Sequence, residues 1–282
     1  MIIWLASYPK SGNTWVRSII SALLYTDDGN FNFNLINNIR QFPTKDNFRN
    51  FTDDLGNFHE IKKYWIAAQE LINIDNSIKF LKTHHINCKI DNYNFTNNKN
   101  TLATIYIVRD PRNVVSSISN HFSKTLEESK NFLITPRFIH GHKKDIKSSD
   151  KSLKTLIGTW SEHYMFWKKN NKDFLLIKYE DLINNPEEQL TKIINFLGKY
   201  MEVKTNLQKN KNIIQTTSFE NLKKLESIGT FHENAFRTSE KKINFFNLGP
   251  NNKWQKNLNS NIKTEIEQKF LNEMRELGYL EN

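Results

Sequence analysis

The chain has 282 residues, of which 38% are hydrophobic, 12% aromatic and 25% charged, the composition of a globular protein large enough to bury a sizeable core. Mean hydropathy is -0.65 and no apolar run approaches the roughly 20 residues of a membrane span, so we expect no transmembrane segment. We expect no secretory signal either, and the single cysteine, Cys88, excludes an internal disulfide scaffold. These features predict a cytoplasmic protein.

The charge balance raises the question of a nucleic-acid partner. Forty Lys and Arg residues against 30 Asp and Glu give a formal net charge of +10. The lysines are scattered along the whole chain, however, and scattered lysine is typical of a solvated surface. We therefore expect no nucleic-acid partner, and the charge favours an anionic small ligand.

In chain order, the hydrophobic patterns alternate between strands and helices. They first predict a strand over 2–7, a tight loop, a helix over 15–24, an irregular region over 25–60 and a helix over 61–72. There follow strands over 78–83 and 102–108, a helix from about 113, an irregular stretch over 123–150, a helix over 152–170 and a strand over 173–178. The last predicted helices open at Asn185-Pro186 and cover 260–277. This alternation predicts an α/β fold with a central, mostly parallel sheet flanked by helices.

The loop after the first strand is a candidate phosphate site. A strand that feeds a short Ser/Gly/Thr loop into a helix presents unpaired backbone N–H groups and the positive helix end at one point. The members of this site would be Lys10, Ser11, Gly12, Asn13 and Thr14. The lysine precedes the Ser-Gly pair, so the loop is not a Walker A sequence. The alternative is a plain helix cap, with Ser11 or Asn13 as N-cap and Lys10 in solvent.

A second candidate phosphate grip follows the strand over 102–108. That strand ends in Arg109-Asp110-Pro111-Arg112, and Ser116 and Ser117 lie in the first turns of the next helix. Parallel strands deliver their carboxyl ends to one sheet edge, where an arginine can hold a phosphate through two hydrogen bonds. The alternative is a surface ion pair between Arg109 and Asp110, with Ser117 facing water.

Both motifs resemble those of a known family. Tyr8-Pro9-Lys10-Ser11-Gly12-Asn13-Thr14-Trp15 closely resembles the 5′-phosphosulfate loop of the cytosolic-type sulfotransferases, and the sequence from Ile107 to Ser117 resembles their 3′-phosphate motif. Further matches are Leu81-Lys82-Thr83-His84, Tyr179-Glu180-Asp181-Leu182, Thr217-Ser218-Phe219, and Phe245-Phe246 with Gly249 and Trp254. The resemblance implies one sulfotransferase domain over residues 1–282 with a P-loop-like α/β fold. It also implies an enzyme that transfers a sulfuryl group from 3′-phosphoadenosine 5′-phosphosulfate (PAPS) to a hydroxyl or amine, releasing 3′-phosphoadenosine 5′-phosphate (PAP).

The resemblance also implies roles for individual residues in binding the donor. The 5′-phosphate would be held by Lys10 and the backbone of Ser11, Gly12, Asn13 and Thr14, and the 3′-phosphate by Arg109 and Ser117. The adenine would meet Trp15, Thr217, Ser218 and Phe219, with Tyr179 near its amine or the phosphates and Gly249 in the same site. Indole and phenyl faces suit a purine, and a lysine is a mobile charge that can follow an anion.

The chemistry would be an in-line displacement at sulfur, which needs a base behind the acceptor and cations on the leaving side. We assign His84 as the base, Lys10 as the stabiliser of the leaving oxygen and Lys82 as support for the sulfuryl oxygens, with no metal. The alternative for His84 is a packed histidine at a strand end, and the adjacent His85 could be mistaken for it.

Other histidines and the cysteine form weaker constellations. His84, His85 and Cys88 lie close in sequence, as do His140 and His142, but neither set has the spacing of a closed zinc site. His163 lies on a predicted helix, where we expect a packed side chain. We interpret Cys88 as an ordinary thiol.

The chain departs from the family after the paired aromatics. Asn247-Leu248-Gly249 stands where cytosolic-type enzymes carry Arg-Lys-Gly, so the second basic grip on the 3′-phosphate is missing. The sequence does not choose among its possible replacements, which are Arg237, Lys241, Lys242 and Lys253. Two alternatives remain open: a nucleotide-dependent phosphotransferase, for which Asp110 alone would bind Mg²⁺, and a non-catalytic PAP-binding protein of the same fold.

The acceptor is predicted only by class, as a hydroxylated small molecule or a sugar. The resemblance implies that loops over 25–60 and 123–150 shape its pocket. Phenylalanines in these loops could line it, although they could equally pack the core: Phe31, Phe33, Phe42, Phe48, Phe51, Phe122, Phe132 and Phe138. The oligomeric state stays open.

Overall fold

The computed structural model describes residues 1–139, 153–171, 173–231, 237–238, 241–242 and 244–281, with the two pairs 237–238 and 241–242 described by their backbone alone. The strands in these ranges are β1 Ile2–Ser7, β2 Arg40–Gln41, β3 Lys79–Thr83, β4 Lys89–Ile90, β5 Tyr93–Asn94, β6 Thr101–Val108, β7 Phe138–Ile139, β8 Thr155–Leu156, β9 Phe174–Lys178, β10 Arg237–Thr238 and β11 Lys241–Lys242.

The α-helices are α1 Asn13–Tyr25, α2 Phe58–Ile61, α3 Trp65–Ile72, α4 Pro111–Phe122, α5 Leu126–Ile134, α6 Trp160–Lys169, α7 Tyr179–Asn184, α8 Pro186–Leu197, α9 Leu207–Thr216, α10 Phe219–Ser227, α11 Trp254–Asn257, α12 Ser260–Lys269 and α13 Leu271–Glu276. Short 3₁₀ helices cover Phe33–Asn38, Lys45–Asn47, Lys62–Tyr64 and Gly249–Asn251. No helix in these ranges combines the length and apolar composition that crossing a bilayer requires.

The central sheet has five parallel strands in the order β2-β3-β1-β6-β9. Strand β1 is buried along its whole length, as its continuous apolar sequence predicts for a strand covered on both faces. Its register on β3 pairs Trp4 with Leu81 and Ala6 with Thr83. The predicted α/β class with a central parallel sheet is confirmed.

The chain divides into two compact units, and the first contains residues 1–8, 39–106 and 135–176. Its core is built around Trp4, whose ring centroid lies 5.7 Å from Phe42, 5.6 Å from Phe95 and 5.9 Å from Trp167. Burial of these large rings contributes to the hydrophobic driving force for folding of this unit.

The second unit contains residues 9–38, 107–134 and 177–282. Helix α1 packs on α9 and on the 3₁₀ helix Phe33–Asn38. Phe33 is central to this core, with ring centroids 4.6 Å from Phe231 and 6.1 Å from Phe246. Five of the eight phenylalanines predicted to line an acceptor pocket are buried in the two cores: Phe31, Phe33, Phe42, Phe48 and Phe132. The other three, Phe51, Phe122 and Phe138, are half-buried.

Most predicted strands and helices are confirmed, and several predicted ranges differ from the structure. The helix expected from 113 begins at Pro111, because the Asp110 side chain accepts the Arg112 N–H as its N-cap. The stretch over 123–150 contains α5. The helix expected over 152–170 begins only at Trp160, where Thr159 forms a capping box with Glu162. The helix expected over 260–277 breaks between α12 and α13.

Candidate functional site

The loop between β1 and α1 has the geometry of an anion site. Gly12 is the N-cap of α1 with a φ of +102° and, as a glycine, has no side chain with which to cap the helix, so the expected alternative with Ser11 or Asn13 as N-cap was wrong. Ser11 is fully buried, and its hydroxyl oxygen meets no hydrogen-bond partner within the described ranges. A buried, unsatisfied hydroxyl beside a helix N-terminus with glycine as N-cap is an arrangement that an anionic ligand can complete.

Tyr179, the first residue of α7, packs its ring against Gly12 of this loop. A Cβ atom at Gly12 would lie 2.6 Å from Tyr179 Cδ2, so the ring leaves room only for glycine. The ring also meets Trp15 edge to face, with centroids 5.5 Å apart. Burial raises the pKa of the Tyr179 phenol, although the nearby Arg109 opposes this shift. The phenol therefore stays protonated and able to donate a hydrogen bond at neutral pH.

Arg109 lies at the end of β6 and is 5% exposed. Its guanidinium stands 4.0 Å from the centroid of the Tyr179 ring, and it donates to the carbonyls of Lys10, at 3.4 Å, and Gly249, at 3.5 Å. The Lys10 ammonium lies 3.8 Å from the centroid of the Phe245 ring. Both predicted donor-binding cations are thus held against aromatic faces in the second unit.

The expected alternative of an Arg109–Asp110 surface ion pair was wrong, because Asp110 bonds instead to Arg112 with a closest approach of 2.7 Å. Arg112 also donates to Glu267 and to the Tyr279 carbonyl, at 2.6 and 2.8 Å. This buried network fixes the turn that carries Arg109 and the start of α4.

Glu180 supports the same turn. Its carboxylate accepts the Asp110 N–H at 3.1 Å and the Tyr279 hydroxyl at 3.0 Å. Burial raises the pKa of Glu180, although the Asp110 N–H opposes the shift. Residues close to Tyr279 are tied down as well, because Lys178 donates to the Leu277 carbonyl at 2.7 Å.

Two cavities adjoin these residues. The first has a volume of about 290 Å³ and is lined by the aromatic and hydroxyl residues predicted to contact the adenine, which are Trp15, Thr217, Ser218 and Phe219. Its remaining lining is mostly apolar: Ile19, Leu182, Ile183, Pro186, Leu190, Ile213, Ile214, Glu220 and Pro250. A mostly apolar pocket with an indole and a phenyl wall suits a purine ring.

The second cavity has a volume of about 710 Å³ and is lined in part by Arg109, Tyr179, Gly249 and Lys253. Ser117, the other predicted 3′-phosphate residue, lies half-buried on α4 and lines neither cavity. Of the cations that could replace the missing Arg-Lys pair, only Lys253 has a described side chain in this cavity. The side chains of Arg237, Lys241 and Lys242 lie outside the described residues, as do His140 and His142.

His84 and Lys82 belong to the first unit. Lys82 lies on β3 with only 8% of its surface exposed, and His84 follows the strand, half-buried. The Nδ1 of His84 stands 2.8 Å from the Ser7 carbonyl oxygen and 3.3 Å from its hydroxyl. Since a carbonyl can only accept, Nδ1 carries the proton, and Nε2 keeps the lone pair that a base requires.

His163 and Tyr106 hold the backbone of the same residue. The Nε2 of His163 donates to the His84 carbonyl at 3.2 Å, and its Nδ1 accepts from the Tyr106 hydroxyl at 2.9 Å. Burial lowers the pKa of His163 to about 3, so it is neutral in this pair of bonds. The sequence predicts a packed His163 but not its bond to His84, because the two residues are 79 positions apart in the chain.

The neighbouring His85 has a different environment. It is fully buried and stacks on Phe95 with ring centroids 4.3 Å apart, and burial lowers its pKa to about 3. Burial also raises the pKa of the Cys88 thiol, to about 11. Among the described residues, no three His, Cys, Asp or Glu side chains converge as a metal site would require.

A model of the sulfotransferase domain matches residues 2–278 of the chain. Luciferin sulfotransferase of Photinus pyralis is 25% identical over 231 residues, and cytosolic sulfotransferase 13 of Arabidopsis thaliana is 26% identical over 238. These alignments cover 78% and 79% of this chain, but only 56% and 62% of the relatives' length.

Solved structures agree on the fold. A mouse sulfotransferase complexed with PAP superposes with a TM-score of 0.55 at 20% identity, covering 97% of this chain and 84% of the other. Retinol dehydratase complexed with retinol and PAP gives a TM-score of 0.57 at 16% identity, covering 97% and 81%.

Proposed function

Because the chain belongs to the sulfotransferase domain family, we propose that it transfers a sulfuryl group from PAPS to a hydroxyl or amine of a small-molecule or carbohydrate acceptor. The products would be PAP and a sulfated acceptor. The observation that carries the proposal is the start of α1 at Gly12, with the buried, unsatisfied Ser11 hydroxyl at its loop and Lys10 and Arg109 close by.

The residues present fit such a donor. The α1 amides, the Ser11 hydroxyl and Lys10 would bind the 5′-phosphosulfate, and Arg109 the 3′-phosphate. The adenine would enter the 290 Å³ cavity against Trp15 and Phe219. In this assignment Ser117 and Gly249 complete the nucleotide site, together with the backbone of Asn13 and Thr14.

The reaction needs one proton acceptor and a stabilised leaving group. His84 would take the acceptor's proton at Nε2 as the new S–O bond forms, because Ser7 holds its other nitrogen in the N–H form. The S–O bond to the bridging oxygen breaks, and that oxygen leaves on PAP with its charge stabilised by Lys10. Lys82 would support the sulfuryl oxygens.

The acceptor class and the compartment are further parts of the proposal. Two similar proteins, luciferin sulfotransferase and retinol dehydratase, are named after small organic molecules, luciferin and retinol. A single cysteine and the cytosolic name of the plant relative support a cytoplasmic location. We propose that all of residues 1–282 act as one sulfotransferase domain.

Calorimetric titration with PAP, without metal, tests the donor site. We expect micromolar or tighter binding, weakened about tenfold to a hundredfold by Arg109→Ala or Lys10→Ala, since each removes charged hydrogen bonds to phosphate. Lys211→Ala, which removes an exposed lysine on α9, serves as the control and should bind as the wild type does. Mg²⁺-dependent ATP binding without PAP binding would instead support a phosphotransferase.

The base is tested separately by His84→Ala. We expect this variant to keep its PAP affinity and to lose sulfation activity by about a hundredfold or more. A wild-type protein that binds PAP but sulfates no acceptor in a broad screen would favour the non-catalytic PAP-binding alternative, for which the Asn247-Leu248 departure is the sequence argument.

A further inference from the structure

Glu226, on α10, is a buried carboxylate that the proposed reaction does not use. It is 6% exposed, and its two oxygens accept the backbone N–H groups of Phe245 at 2.6 Å and Phe246 at 2.9 Å. Within the described ranges no Lys or Arg side chain forms an ion pair with it. Because a buried charge is unfavourable unless it is hydrogen-bonded, these two amides are what holds the carboxylate in place.

A second side chain of the same helix extends this contact. Lys223 lies one turn before Glu226 and donates to the Asn247 carbonyl at 3.1 Å. Residues 245–247 are therefore attached to α10 through backbone groups at three consecutive positions. We call residues 245–249 the aromatic segment.

The aromatic segment touches both cations of the proposed donor site. At its start, the Phe245 ring lies under the Lys10 ammonium, and at its end the Gly249 carbonyl accepts from Arg109. Phe246, between them, packs against Phe219, which lines the 290 Å³ cavity; the two ring centroids are 5.9 Å apart. A shift of this segment would displace the surfaces on which Lys10 and Arg109 rest.

We propose that Glu226 is a positioning residue for donor binding, which acts by fixing the backbone of Phe245 and thereby the ring that holds Lys10. The proposal rests on the proposed function, because it assigns Glu226 to the site that would bind PAPS. Lysine has a long, flexible side chain that loses conformational entropy when it binds a ligand. Because the Phe245 ring already keeps the Lys10 ammonium near the loop, less of this entropy is lost when the donor binds. Glu226 itself lines neither of the two cavities.

The substitution that isolates this role is Glu226→Gln. Glutamine has the same shape but only one acceptor oxygen, and its NH₂ group would face one of the two amide donors. One hydrogen bond is lost and two donors oppose each other, so the aromatic segment loosens while the rest of α10 is unchanged. Glu202→Gln, at an exposed position of the same unit, is the matched control.

PAP affinity is measured by calorimetry for the wild type, Glu226→Gln, Lys10→Ala and the double variant. We expect Glu226→Gln to weaken binding about tenfold in the wild type, and less than about threefold in the Lys10→Ala protein, because the ring then has no ammonium to hold. Glu202→Gln should bind PAP like the wild type. Thermal unfolding is recorded for every variant.

If Glu226→Gln does not fold, Phe245→Leu replaces it in the same scheme, because it removes the ring and keeps the backbone bonds. The proposal would be overturned if Glu226→Gln bound PAP as tightly as the wild type does, or if it weakened PAP binding equally in the wild-type and Lys10→Ala proteins. Either result would leave the proposed function intact. A wild-type protein that fails to bind PAP would overturn both.

Discussion

Gly12→Ala tests whether Tyr179 restrains the loop that opens α1. Two separate penalties are expected at this position. Gly12 has a φ of +102°, which an L-residue adopts only with strain, and the Cβ atom that alanine adds would lie 2.6 Å from Tyr179 Cδ2. The ring cannot retreat easily, because Tyr179 is buried against Trp15 and Arg109.

The expected loss of stability in Gly12→Ala is the sum of these two penalties. A left-handed backbone conformation costs a non-glycine residue roughly 1–2 kcal/mol, and overpacking a buried site costs about 1–3 kcal/mol. We therefore expect the free energy of unfolding to fall by about 2–5 kcal/mol, and the melting temperature by about 5–15 °C. PAP affinity should fall as well, since the loop amides would move.

Two other glycines make the experiment decisive. Gly229 has a φ of +85° with no atom within 4 Å of an added Cβ, so Gly229→Ala measures the backbone term alone. Gly56 has neither feature, and Gly56→Ala should change stability by less than about 0.5 kcal/mol. The measurement is thermal and urea unfolding of all three variants. If Gly12→Ala is no less stable than Gly229→Ala, the Tyr179 ring does not restrain the loop.

Two further predictions concern buried charge. Burial lowers the pKa of both His85 and His163 to about 3, whereas an exposed histidine has a pKa near 6.5. Between these two pH values the unfolded chain binds protons that the folded protein does not. The free energy of unfolding should therefore fall by about 1.4 kcal/mol per pH unit per histidine as the pH drops from 6.5 towards 3. Urea unfolding between pH 4 and 7 measures this, and His85→Gln should remove about half of that contribution; an unchanged pH dependence would contradict the assignment. Arg112→Leu should lower the free energy of unfolding by about 3–5 kcal/mol, because it leaves the buried Asp110 carboxylate without its ion pair, and a loss below about 1 kcal/mol would contradict the role of that network.

The sheet strands could be predicted because their signal is local. Residues 2–7 and 102–108 are continuous apolar runs bounded by turn residues, and such runs are typical of buried parallel strands. The loop from Lys10 to Thr14 was found for the same reason, since its glycine, hydroxyls and following helix are adjacent in sequence.

Contacts made through the backbone of a distant segment left no such signal. Glu226 has the sequence context of an ordinary helix-surface acid, and its partners are the N–H groups of Phe245 and Phe246, which every residue except proline carries. The sequence left the role of the loop phenylalanines open for a related reason, since Phe42 and Phe48 supply apolar surface to a core formed by residues far along the chain. The choice between core and pocket is made by tertiary packing.

Residues 277–279 pack against residues of the proposed donor site, and this matters for how the protein is handled. Gly278 and Tyr279 line the same cavity as Arg109, while the Tyr279 hydroxyl and carbonyl bond to Glu180 and Arg112. Loss of Gly278 and Tyr279 should therefore lower the free energy of unfolding and weaken PAP binding at the proposed donor site. A preparation that binds PAP weakly should first be checked by mass spectrometry for an intact Tyr279.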